Sequence, residues 1–146
     1  MWTVEEGIEA LRRCGSKITA QRTAILSLLE NRTDHPSAEQ VFKEIKVEFP
    51  AISFATIYST AQLFEKAGLI QILSVDNKRI LLDPNPRPHA HFRCNKCGHL
   101  EDVFISEDII QKLQASSPHD VSDIQLYMYG LCSDCAAGQA NGKKLA

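Results

Sequence analysis

The sequence predicts an α+β protein in two parts, and three observations predict it. Between Thr3 and Ile70, apolar stripes recur at helical spacing, each behind a capping residue. After Gly68 the period changes to that of short strands. Then DPNPRP, residues 83–88, places three prolines in six residues and reads as a hinge. Two Cys-x-x-Cys pairs follow it.

In the first part, Thr3 and Glu6 form a capping box, with Val4, Ile8 and Leu11 behind it and Gly15 as a stop. Thr19 caps a second helix with Ile25, Leu26, Leu28 and Leu29 as its apolar side. Ser37 and Gln40 form another capping box, followed by Val41, Phe42 and Ile45. Ser53 caps a fourth helix. There Phe54, Ile57, Ala61 and Phe64 are expected to face a core, and Thr56, Tyr58, Ser59, Thr60 and Gln62 to face outward. The runs LIQILSV and KRILLD, joined by Asp76-Asn77, predict a hairpin. Helices, then a helix with a small polar outer face, then a hairpin, is the pattern of a winged helix.

The second part reads as a small α+β module. It has a strand near His89–Arg93, a cysteine knuckle, and a strand near Leu100–Ile105. A helix capped by Ser106 follows, with Ile109, Ile110 and Leu113, and then a last strand in DIQLYMYGL. Residues 138–146 lack apolar periodicity and are expected to be disordered.

The 146 residues suffice for one ordinary domain or two small ones, and 44% hydrophobic with 23% charged residues is a soluble composition. No apolar run nears the ~20 residues of a membrane helix. The acidic N-terminus MWTVEEGIEALRRC is not a secretion signal, so a cytoplasmic location is expected. The net charge of −2 does not itself suggest a nucleic-acid partner, although a local surface can differ from the average.

Cys94 and Cys97 form one pair, and Cys132 and Cys135 the other. Each loop brings two thiolates to one point, and two loops complete a tetrahedral sulfur site of the kind that suits structural Zn²⁺. Two disulfides, a redox dithiol and coincidence are the competing readings. A thioredoxin-like motif needs a βαβ setting, which is absent. His99 is read as a surface residue and Cys14 as an ordinary helix residue.

In PHAHFRCNKC, a strand would send His89 and His91 to one face and Cys94 to the other. The histidines are either metal ligands or a solvent-exposed pair. His35, Asp83 and Asp102 are further donor types, and each alone also reads as an ordinary loop, turn or strand residue. Nothing in spacing joins them, but three imidazoles and two carboxylates would suit Fe²⁺ or Mn²⁺.

Together ITAQRTAIL, HPSAEQVF, ATIYSTAQLFEKAGLI, HAHFRCNKCG and CSDC resemble the ferric uptake regulator family of metal-dependent bacterial repressors, over nearly the whole chain. The resemblance implies a homodimer with an N-terminal winged-helix DNA-binding domain (1–83), a hinge (84–88) and a small α+β dimerisation and metal-binding domain (89–137). It implies structural zinc on Cys94, Cys97, Cys132 and Cys135. It also implies a regulatory Fe²⁺ or Mn²⁺ site of His35, Asp83, His89, His91 and Asp102. Donors from both parts would then clamp them in a DNA-competent arrangement. Arg22, Thr56, Tyr58 and Ser59 are the candidate contacts to operator DNA.

Aspartate at 83 and 102 resembles the peroxide-sensing branch, because iron sensors typically carry glutamate at 102 and often at 83. Pro88 and Ala90 occupy slots that in many iron sensors belong to a further metal site, which leaves His119 as a turn residue. In the peroxide-sensing branch, Fe²⁺-dependent oxidation converts a ligand imidazole, here His35 or His89, to 2-oxo-histidine and releases DNA. Glu101, next to Asp102, could enter the site only by a one-residue slip, which in a strand would turn it to the other face. The expected function is a peroxide-sensing repressor, not an enzyme. The alternatives are iron or zinc sensing, a metal-dependent oxidoreductase, and a protein-binding zinc module.

Overall fold

The structure, a computed structural model, describes residues 1–76 and 78–138. The expected turn at Asn77 and most of the expected tail, residues 139–146, lie outside the described residues. The chain divides into two compact units, Met1–Pro86 and Arg87–Ala146.

In the first unit, α1 (Val4–Arg13), α2 (Ala20–Leu29), α3 (Ala38–Glu48) and α4 (Phe54–Lys66) precede a hairpin of β1 (Gln71–Asp76) and β2 (Arg79–Asp83). The caps form where the sequence predicts them, but at Ser37 and Gln40 the structure shows only the Ser37 half of the expected capping box. Thr3 and Glu6 bond reciprocally, and the side chains of Thr19, Ser37 and Ser53 accept from the backbone of Arg22, Gln40 and Thr56. Each satisfies a backbone N–H that the helix itself cannot pair. Gly68 follows α4 at φ 73°, a left-handed conformation that glycine adopts without a Cβ clash.

The core of this unit joins all four helices and the hairpin through Leu11, Ile25, Leu26, Leu29, Val41, Ile45, Ile57, Phe64 and Leu82. The expected faces of α4 need two corrections. Thr60 is buried, not outward, because it lies three residues after Ile57 and four before Phe64, inside the apolar stripe. Phe54 is 38% exposed. It is the first residue of the helix and meets Phe42 edge-on, at 5.8 Å between centroids.

Trp2 fastens the start of the unit to its end. Its indole N–H lies 2.6 Å from the Leu69 carbonyl and 3.0 Å from the Pro84 carbonyl, donating to both. The loop before α3 is sewn to β2 in the same way. Leu82 donates its N–H to the Pro36 carbonyl at 2.8 Å, and Ser37 bridges Leu81.

The second unit contains β3 (Ala90–Cys94), β4 (Leu100–Val103), α5 (Glu107–Ala115), β5 (Leu126–Gly130) and α6 (Ser133–Ala136). The strand order is β4-β3-β5, with β3 antiparallel to β4 and parallel to β5. The parallel pair requires a crossover, which α5 and its flanking segments supply. Ser106 stands at the N-cap of α5 without a side-chain capping bond, and α5 buries no residue. The short α6 was not expected from the sequence; it is one turn, too short for a periodic signal. No described helix is long and apolar enough to cross a membrane.

Candidate functional site

The first Cys-x-x-Cys pair sits at the end of β3 and in the turn after it. Gly98, at φ 73°, lets that turn reverse tightly, so the Cys94 N–H donates to the His99 carbonyl at 2.8 Å. The second pair opens and closes the first turn of α6. The four sulfurs lie within 4.8 Å of one another, and Cys97 Sγ is 3.7 Å from Cys132 Sγ. All four are free thiols. A tetrahedron of sulfurs about 2.3 Å from zinc has edges of about 3.8 Å.

The electrostatics also fit a cation. The backbone N–H groups of Cys97, at 3.5 Å, and Cys132, at 3.4 Å, point at Cys94 Sγ. They pull its pKa down to about 5, into the range of a stable thiolate. Burial, followed by the hydrogen bond with Cys132, pushes Cys135 up to about 12. A buried set in which one thiol ionises readily and another resists gains from a divalent ion, which favours the thiolate form of every sulfur it binds. The residues present fit structural Zn²⁺, with no position left open for a reacting ligand. Four sulfurs gathered at one point support the zinc reading over two separate disulfides.

The other predicted donors form one group in each unit. In the second unit His91 pairs with Asp102 across β3 and β4, and Glu101 pairs with Phe92. His89 Nε2 and His91 Nε2 are 3.0 Å apart, and Asp102 Oδ1 is 3.3 Å from the first and 3.5 Å from the second. The His89 Nδ1–H donates to the Arg87 carbonyl at 2.6 Å, which leaves Nε2 as the nitrogen with a lone pair. The two histidines are buried, not a solvent-exposed pair.

In the first unit His35 Nε2 lies 3.7 Å from Asp83 Oδ2, and both side chains are buried. Asp83 is the last residue of β2, and its Oδ1 accepts from the Asn85 N–H at 2.9 Å. His35 adopts φ 48°, a left-handed conformation that costs a non-glycine residue on the order of 1–3 kcal/mol.

Just ahead of it, Arg32 makes four hydrogen bonds that the sequence did not suggest. Its Nε and Nη2 donate to Asp34 at 2.6 and 3.1 Å, and its Nη1 and Nη2 donate to Glu44 at 3.0 Å each. These bonds, Asp34 first, raise the Arg32 pKa, and Arg32 in turn lowers that of Asp34. The Arg-x-Asp spacing was the available signal. Glu44, twelve residues on, offered none.

Of the candidate DNA contacts, Thr56, Tyr58 and Ser59 share the N-terminal half of α4. Tyr58 is 40% exposed, whereas the hydroxyls of Thr56 and Ser59 bond within the helix. A cavity of about 340 Å³ beside Tyr58 is lined also by Glu39, Phe54, Ser74, Lys78, Arg79 and Ile80, so two basic residues of the hairpin stand next to the helix. Arg22 is half-buried, and its guanidinium donates to the Lys17 carbonyl at 2.6 Å. His99 bonds Glu101 at 3.1 Å, and Cys14 is exposed at the end of α1.

Fold and site thus define a winged-helix protein with a four-cysteine zinc module. Residues 13–129 match the ferric uptake regulator family, and the chain belongs to it. It is 33% identical to the peroxide-responsive repressor PerR of Staphylococcus epidermidis over 134 residues, 90% of this chain and 89% of that protein. Among solved structures, the ferric uptake regulator of Pseudomonas aeruginosa with manganese matches at 25% identity and a TM-score of 0.70, covering 87% of this chain and 98% of that one. PerR from Streptococcus pyogenes, in a structure addressing peroxide sensing and gene regulation, matches at 28% identity and a TM-score of 0.54, covering 92% and 94%.

Proposed function

We propose that this protein is a homodimeric, metal-dependent repressor of transcription, located in the cytoplasm, that senses peroxide. The observation that carries the reading is the donor set: three buried histidines with aspartate, not glutamate, at both 83 and 102. Similarity to the peroxide-responsive repressors supports the same branch.

His35 and Asp83 of the first unit, with His89, His91 and Asp102 of the second, would hold a regulatory Fe²⁺ or Mn²⁺. Mixed nitrogen and oxygen donors suit these ions. Five protein donors leave room for one exchangeable ligand. Bound Fe²⁺ would supply redox chemistry toward peroxide close to the donor imidazoles. The net change at His35 or His89 is the gain of one oxygen while peroxide leaves as water. A residue so altered no longer offers the same imidazole lone pair, and the donor set is broken. Donors from both units on one ion favour the arrangement that binds DNA, and their loss removes that preference.

Tyr58 and the exposed side of α4 face the operator, and Lys78 and Arg79 of the hairpin contact the phosphates. The exposed apolar residues Phe104, Ile109, Leu113, Met128, Tyr129 and Leu131 form the surface for the second copy. The protein catalyses no turnover reaction.

Mass spectrometry tests the reading. After peroxide, the Fe²⁺ form should gain one oxygen on a peptide containing His35 or His89, and the Mn²⁺ form should not. No gain with Fe²⁺ would favour the iron-responsive alternative instead.

A further inference from the structure

The loop that delivers His35 is short and conformationally unusual. Asn31, at φ 57°, and His35, at φ 48°, both adopt left-handed conformations, with three residues between them. Asparagine tolerates that region; histidine does so less readily. Something must hold the chain there. The backbone of His35's own segment is tied downstream, where Pro36 and Ser37 pair with β2. Upstream, besides the Arg32 N–H bond to the Leu29 carbonyl at 3.2 Å, the side-chain ties come from Arg32.

We infer that Arg32 is a positioning residue for His35, and so sets how tightly the regulatory ion is held. Its guanidinium grips two carboxylates at once, each through two N–H donors. One carboxylate belongs to Asp34, the residue directly before His35. The other belongs to Glu44 on α3, whose residues Val41 and Ile45 lie in the core. The fork therefore links the residue next to the ligand to a rigid helix. A planar guanidinium can do this and an ammonium cannot, because only the former presents paired donors in fixed directions. Arg32 is well covered, and its side chain is only 17% exposed, so the fork is partly shielded from water. Supporting groups around metal ligands commonly alter affinity 10–100-fold when removed.

This inference rests on the reading of His35 as a regulatory ligand, and the test separates the two. Full-length, zinc-loaded protein is titrated with Mn²⁺, with affinity and the Mn²⁺ electron paramagnetic resonance spectrum as readouts. Arg32→Lys should raise the Mn²⁺ dissociation constant about tenfold and alter the spectrum, with zinc content unchanged. Glu44→Gln should act in the same direction and more weakly, and it carries the test if Arg32→Lys does not fold. His91→Ala is the reference for the site itself. If His91→Ala weakens Mn²⁺ binding while the Arg32 and Glu44 variants match the wild type in affinity and spectrum, the positioning role is overturned and the site stands. A lowered melting temperature with unchanged Mn²⁺ affinity overturns it equally. If His91→Ala binds Mn²⁺ as the wild type does, the regulatory site itself fails, and this inference with it.

Discussion

His91 and Asp102 stand directly opposite each other across β3 and β4, with imidazole Nε2 3.5 Å from carboxylate Oδ1. Glu101, one residue earlier, faces Phe92 and is exposed. Strand parity thus separates two neighbouring acids that composition alone cannot distinguish. Asp102→Ala should raise the Mn²⁺ concentration needed for a gel shift at least about tenfold, and Glu101→Ala should leave it nearly unchanged. Equal effects from the two would contradict the pairing.

The sulfur site closes the second unit by joining the end of β3 to the first turn of α6. Its packed cluster is small, Cys94, Cys132 and Cys135 with Phe92 and Cys97 against them. So few apolar contacts place much of the unit's stability on the ion. Purified protein should carry about one zinc per chain by elemental analysis. Cys135→Ser should lose that zinc and with it the cooperative melting of this unit. Retention of zinc and of the transition would count against a four-sulfur site.

Trp2 is held by burial and by one N–H shared between two carbonyls. Trp2→Phe keeps most of the ring but leaves those carbonyls without their donor, at about 1–2 kcal/mol. Trp2→Ala adds a cavity, for a total of about 3–5 kcal/mol. Urea denaturation followed by circular dichroism measures both. A Phe variant as unstable as the Ala variant would show that hydrogen bonding, not the buried ring, is the larger contribution.

On the DNA side, Tyr58→Ala should weaken operator binding at every salt concentration. Lys78→Ala should instead reduce the slope of log affinity against log salt by about one, the signature of one lost phosphate contact. A Lys78 variant with an unchanged slope would remove Lys78 from the phosphate interface.

Much was legible in the sequence because it is local. Caps act within three residues and helical stripes repeat within one turn. Thr3, Thr19, Ser37 and Ser53 therefore mark where their helices begin, and the alternation around His89 and His91 separates them from Cys94. The two Cys-x-x-Cys pairs also carry their own chemistry, since each loop is a complete half of a tetrahedral site. Tertiary structure decided what depends on partners far along the chain. How far the core wraps around α4 is one such matter: Thr60 is buried, while Phe54 stays 38% exposed although Ile52 just before it lies in the core. The register of β3 against β4 sets Asp102 directly opposite His91, a pairing that strand parity alone does not give. The Arg32–Glu44 tie spans twelve residues and depends on how a loop folds back over α3, which no periodicity records.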